Sequence, residues 1–237
     1  MSRDNLPEKS SDAAIDAFLQ EAAATPAPQQ ADAPAGRLLF AMDATASREP
    51  TWDAAAELQA EMFRAAAETG PLAVQLAYYR GFGEFKATPW LTDPDTVVRR
   101  MGEVRCRAGL TRIARVLDHA LHEARQQPVH ALVFVGDCME EDADALGELA
   151  GQLGLLNVPA FLFHEGNDPD AARTFPHLAH LTGGACLSFD RSSPDALRDL
   201  LTAVAVYATG GPRALAHRAE RVGGAAKRLT HQVGPGA

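Results

Sequence analysis

From Arg37 onward, short apolar runs alternate with segments of helical periodicity, and no other feature constrains the fold of this chain as strongly. RLLFAMD, PLAVQLAYYR, HALVFVGD, VPAFLFHE and ACLSF read as strands. GFGEFKATPW reads as a further short strand, reached through a tight glycine turn at Gly81–Gly83. Helical spacing runs from Thr51 to Thr69, with Trp52, Leu58, Met62 and Phe63 on the apolar side. It recurs from about Asp95 to Arg125 in two parts broken near Arg107–Leu110, in EEDADALGELAGQLG, and in DPDAARTFPHLAHLTG up to Gly183–Gly184. SPDALRDLLTAVAVYATGG closes the series behind a Ser193 cap. Strands alternating with helices predict a Rossmann-like α/β domain: a mostly parallel central sheet, helices on both faces, right-handed crossovers.

A chain of 237 residues accommodates one such domain with tails. The domain is expected over 37–210. Residues 1–36 are polar and rich in Ala, Pro and Gln, which predicts a flexible arm. Within that arm Ile15, Phe18, Leu19 and Ala22 share one helical face behind Ser11 or Asp12, and that face needs a cover, from this domain or a partner. Residues 211–237 form a basic tail, with Arg213, Arg218, Arg221, Lys227 and Arg228 against Glu220 alone. That tail carries +4, which leaves −13 on the remainder of a chain whose net charge is −9.

The acidic balance argues against non-specific binding to nucleic acid or an anionic membrane. No uncharged apolar run approaches the roughly 18 residues of a membrane helix. The N-terminal MSRDNLPEKSS lacks the apolar region of a signal peptide. Cys106, Cys138 and Cys186 are an odd and small set, expected as free thiols. Together these features predict a cytoplasmic location.

In parallel sheets, ligands collect at the carboxyl ends of the strands. Oxygen-bearing side chains fall there in three segments. Asp43, Thr45 and Ser47 follow the first strand as D-x-T-x-S, Thr111 opens the second part of the long helix, and Asp137 follows Gly136 after the fourth strand. This set, in this order, resembles the metal-ion-dependent adhesion site of von Willebrand factor A (VWA) domains, and TGG before ACLSF resembles the approach to the last strand of that family. The resemblance spans about residues 37–210. It implies a divalent cation, Mg²⁺ first with Mn²⁺ or Ca²⁺ as substitutes, and Thr45, Ser47 and Thr111 as direct or near-direct ligands. Asp43 and Asp137 would act largely through bound water. Such a set suits a hard ion that takes six oxygens and keeps several waters. The open coordination position would be filled by a carboxylate of a protein partner. Similar bacterial proteins work beside MoxR-type AAA+ ATPases, so an adaptor role for such an ATPase is also implied. Two departures stand out: Thr45 occurs where the family commonly has Ser, and Ala108-Gly109-Leu110 precedes Thr111 where paired glycines are common.

Other readings of the same residues remain open. Thr45 and Ser47 could cap the first helix and Asp137 the helix that leads to the fifth strand, leaving a metal-free scaffold. Glu140, Glu141, Asp142 and Asp144 are expected in the first turns of a helix, where acids complement its dipole. Cys106 and Cys138 fall near the site, and a strand-end Cys138 faintly resembles isochorismatase-like hydrolases, although no matching lysine motif and no G-x-S-x-G elbow occur. His177 and His180 lie late in a helix, while His164 and Glu165 end a strand at the same rim. The favoured expectation is an interaction module without enzymatic activity.

Overall fold

The computed structural model describes residues 36–49, 71–189 and 202–209. The expected N-terminal arm, the Thr51–Thr69 helix, the Ser193 cap and the basic tail lie outside the described residues.

Six strands form one sheet: β1 (Gly36–Asp43), β2 (Leu72–Arg80), β3 (Glu84–Ala87), β4 (Ala131–Gly136), β5 (Ala160–Glu165) and β6 (Ala185–Phe189). Their order across the sheet is β3-β2-β1-β4-β5-β6. All neighbours pair in parallel except β3, which returns antiparallel along β2. The helices between them are α1 (Pro94–Gly102), α2 (Ile113–Gln126), α3 (Ala143–Leu155) and α4 (Pro169–Thr182), and residues 202–209 are also helical. The expected mostly parallel α/β fold is therefore the one observed.

Side chains alternate across a strand, and β1 shows why its apolar run is continuous. Leu38, Phe40 and Met42 enter one core with Val97, Phe161 and Tyr207. Leu39 and Ala41 enter the opposite core with Val116, Leu146 and Phe175. A strand buried on both faces has no solvent side to mark with polar residues. The helix starts are set by aspartates: Asp93, Asp142 and Asp168 accept from the amides of Thr96, Ala145 and Ala171 at 3.0, 2.8 and 2.7 Å. Each satisfies an amide that has no partner within its own helix.

Two expectations need correction. The break in the long helical segment is wider than its pattern suggested, covering residues 103–112, so Thr111 precedes α2 instead of opening it. Glu140 and Glu141 precede the Asp142 cap and serve no turn of α3. Their carboxylates reach across to the start of α2: Glu140 accepts from the Thr111 amide at 3.0 Å, and Glu141 accepts from the amides of Ile113 and Ala114. Acids adjacent in sequence to one helix here cap another, because the sheet brings the two ends together.

Candidate functional site

Register decides what meets at the carboxyl rim of the sheet. Asp43 pairs with Tyr79, Met42 with Val135, and Gly136 with His164. One step beyond the Met42–Val135 pair, the row across the sheet reads Tyr79, Asp43, Gly136, His164. Gly136 leaves a gap in that row. A Cβ there would stand 2.8 Å from the Phe134 ring, too close for any larger residue without moving that ring, and in ordinary contact with the Asp43 Cβ at 3.7 Å.

Asp43 is fully buried. Its Oδ1 accepts from the Thr45 amide at 2.7 Å and its Oδ2 from the Tyr79 hydroxyl at 3.0 Å. Burial raises its pKa above the usual carboxylate range, the Thr45 hydrogen bonds oppose that rise, and the Asp137 charge adds to it. Tyr79 is raised well above an ordinary phenol, first by burial and then by Asp43, so it stays a donor.

Asp137 completes the pair. One ligand atom each from Asp43, Asp137 and Cys138 lie within 4.8 Å of one another. Asp137 Oδ1 is buried and has no hydrogen-bond partner among the described residues. Two carboxylates this close repel unless a proton or a cation stands between them, and an orphaned oxygen marks a place where a cation or water fits.

The hydroxyls follow. Thr45 Oγ1 and Ser47 Oγ lie 3.0 Å apart, on the turn that leaves β1. Thr45 occupies the cap position of the short 3₁₀ turn Ala46–Arg48, yet its side chain makes no capping bond. The Thr111 hydroxyl accepts from the Glu140 amide at 3.1 Å, which holds Thr111 to the loop that carries Asp137. The structure thus brings Asp43 beside Asp137 and Thr45 beside Ser47, and ties Thr111 to the Asp137 loop through Glu140. Asp137 does not cap α3, whose cap is Asp142.

The donor set suits a divalent cation: hydroxyl oxygens, two carboxylates and one unpartnered oxygen. Cys138 adds a thiol that a Mg²⁺ site does not require and that softer divalent ions accept more readily. Its thiol is pushed up to about 12, first by burial and then by Asp137, and burial pushes Cys106 up to about 11.

Two more residues shape the rim. The Arg48 side chain is 1% exposed, and its Nη2 and Nε donate to Glu165 Oε2 at 2.9 and 3.1 Å. Its Nη1 donates to the carbonyls of Val135 and Asp43 at 3.1 and 3.4 Å, so one guanidinium links the ends of β1, β4 and β5. Glu165 is therefore committed to Arg48. His164, 1% exposed, packs its ring edge-on against Phe175 at 5.6 Å, and neither ring nitrogen has a partner among the described residues. Burial lowers its pKa, against the opposing influence of the Asp137 main chain and the carboxylates of Asp168 and Asp137. Sequence reasoning noted His164 and Glu165 at this rim but missed Arg48 and Tyr79. An arginine and a tyrosine in or beside apolar strands carry no local sign of which carboxylate they meet.

Sheet order, the antiparallel β3 edge and helices on both faces define a VWA-type α/β fold. The solved structures that resemble it agree. They include the SpRpn10 VWA domain (TM-score 0.55, 15% identity, covering 70% of this chain and 94% of that one). A von Willebrand factor type A protein from Catenulispora acidiphila matches with a TM-score of 0.56 and 15% identity over 75% of this chain and 43% of that one. A variant of the PilB minor pilin from Streptococcus sanguinis matches with a TM-score of 0.57 and 8% identity over 75% of this chain and 62% of that one. The chain thus spans less than two thirds of the pilin and of the Catenulispora protein. At the level of sequence, no family model and no curated protein matches. Among the described residues no helix is long and apolar enough to cross a membrane.

Proposed function

We propose that this protein is a metal-dependent interaction module that binds an acidic residue of a protein partner through a divalent cation. The observation that carries this reading is the unpartnered Asp137 Oδ1 beside the buried Asp43 carboxylate. Thr45, Ser47 and Thr111 would supply hydroxyl oxygens, and Asp43 and Asp137 would supply the negative field. The bound ion would contribute a Lewis-acid position for the partner's carboxylate. Tyr79 and the Thr45 amide hold the Asp43 carboxylate in one orientation, and Gly136 beside it leaves space for the Phe134 ring. Arg48 keeps the strand ends together beneath the site. Mg²⁺ is the first candidate ion, with Mn²⁺ or Ca²⁺ as substitutes. Service as an adaptor to a MoxR-type AAA+ ATPase in the cytoplasm belongs to the same reading.

A hydrolase built on Cys138 fits less well. A thiol pushed up to about 12 is protonated at neutral pH, and thiolate is the nucleophilic form. A metal-free scaffold would leave two close carboxylates and a buried orphan oxygen without compensation. The test is calorimetric titration of wild type and Asp43→Ala with Mg²⁺ and Mn²⁺, followed by affinity purification of both proteins with Mg²⁺ and with EDTA. Binding and partners lost in Asp43→Ala and in EDTA support the proposal. Identical isotherms for the two proteins favour the scaffold.

A further inference from the structure

Beside the candidate site the surface changes sign. Between Arg99 and Arg115 the chain carries Arg99, Arg100, Arg105, Arg107, Arg112 and Arg115 against Glu103 alone, in a protein whose net charge is −9. The β2–β3 hairpin adds Arg80 and Lys86, and a single carboxylate, Glu84, meets Arg80, Lys86 and Arg107 at 2.9, 3.0 and 3.3 Å. One acid shared by three cations leaves the cluster positive. Arg105 donates only to the carbonyls of Gly102 and Val104, and among the described residues neither it nor Arg112 has an ion-pair partner.

An aromatic ring stands in this basic cluster. Phe82, at the hairpin tip, is 83% exposed, and Leu110, in the loop that packs on the hairpin through Gly109, is 45% exposed. The tip is held by its backbone: Gly81 and Gly83 adopt φ of +61° and +146°, which disfavour any other residue. Gly109 packs so closely that a Cβ there would lie 1.9 Å from the Gly81 carbonyl oxygen. Gly81, Phe82, Gly83, Glu84, Arg107 and Ala108 line an open depression of about 550 Å³ between the hairpin and the loop. Its position is fixed relative to the candidate site. The Arg107 amide donates to the Ala44 carbonyl at 3.0 Å, between Asp43 and Thr45, and the Arg107 carbonyl accepts from Gly81 at 3.4 Å.

We propose that this depression docks an acidic peptide segment of a partner protein, whose carboxylates meet Arg105 and Arg107 and whose apolar side chain covers Phe82. Charge complementarity selects the occupant. The excess of arginine beside this depression, on a protein whose net charge is −9, suits a short acidic segment better than an extended phosphate backbone. An aromatic on a rigid tip loses little entropy on being covered, as binding anchors require. The surface consists of Phe82 and Arg107 of the depression, with Arg105 exposed two residues away on the same loop, and does not need the ion. It extends the proposed function by stating what flanks the partner's metal-bound carboxylate.

The test is selection from a random peptide library displayed on phage, using the full chain in EDTA as bait, followed by anisotropy titration of the enriched peptide. The expected consensus is acidic with one aromatic or aliphatic residue. Phe82→Ser should weaken that peptide about tenfold, the scale of one lost anchor. Arg105→Glu/Arg107→Glu should abolish binding, and salt should weaken it in wild type. All three side chains are exposed, and circular dichroism with the Mg²⁺ titration checks that the variants remain folded. No enrichment, a neutral or basic consensus, or a consensus bound equally by the variants would overturn the proposal. So would a single-stranded DNA probe that binds this surface and displaces the peptide. Asp43→Ala separates the two proposals, because it should leave peptide binding in EDTA unchanged while removing the metal response.

Discussion

The guanidinium of Arg48 and the carboxylate of Glu165, 117 residues apart in sequence, form a buried ion pair at 2.9 Å beneath the candidate site. Removing one partner of such a pair leaves a charge without compensation. Glu165→Ala is therefore expected to cost about 3–5 kcal/mol in urea denaturation. The double variant Arg48→Met/Glu165→Leu should recover much of that loss, since neither charge then remains buried. A Glu165→Ala protein within about 1 kcal/mol of wild type would show that the pair is not what joins these strand ends.

Burial first, with the Asp137 charge in addition, raises the pKa of Asp43. In the pH window above the unfolded carboxylate value, the folded state binds more protons than the unfolded state. Stability falls as pH rises through that window, and the cost is complete above the folded-state value. Asp43→Asn is expected to raise the melting temperature in EDTA, on a scale of roughly 2–4 °C per kcal/mol for a chain of this size. Saturating Mg²⁺ should raise the melting temperature of wild type and not that of the variant. A variant that melts below wild type in EDTA would contradict the burial argument.

His130 sets a second pH dependence, of opposite sign. Its Nδ1 accepts from the Arg37 amide at 2.8 Å, which requires a neutral ring, and its pKa is lowered by burial first and by Arg37 second. Between that lowered value and the unfolded value of about 6.5, the unfolded chain takes the proton and the folded one does not. Stability is therefore full above about pH 6.5 and declines on acidification. His119 and His164, also lowered by burial, act in the same direction. The urea midpoint measured between neutral and mildly acidic pH should fall, and His130→Asn, which keeps an acceptor near Nδ1, should flatten the slope. An unchanged slope would place the effect elsewhere.

The thiols offer a chemical check. Cys106, Cys138 and Cys186 form no disulfide among the described residues, so a reducing agent should leave the melting temperature unchanged. With Cys106 at about 11 and Cys138 at about 12, disulfide-exchange labelling at neutral pH should be far slower than for free cysteine. Rapid labelling of Cys138 would revive the nucleophile reading.

Much of this molecule is legible without its fold. Apolar runs such as RLLFAMD become strands because both faces are buried and every position must be apolar, and D-x-T-x-S is legible because its turn is local. Asp43, Thr45, Ser47, Thr111 and Asp137 were joined into one set only by the resemblance to VWA domains. What only the tertiary structure decided depends on register and on distant approach. It placed Tyr79 on Asp43, left a gap at Gly136 and set His164 at the end of that row. It spent Glu165 on Arg48, and it turned Glu140 and Glu141 toward Thr111, Ile113 and Ala114. In each case the partner is chosen by which strand lies alongside and at which residue, and a side chain does not carry that information in its own neighbourhood.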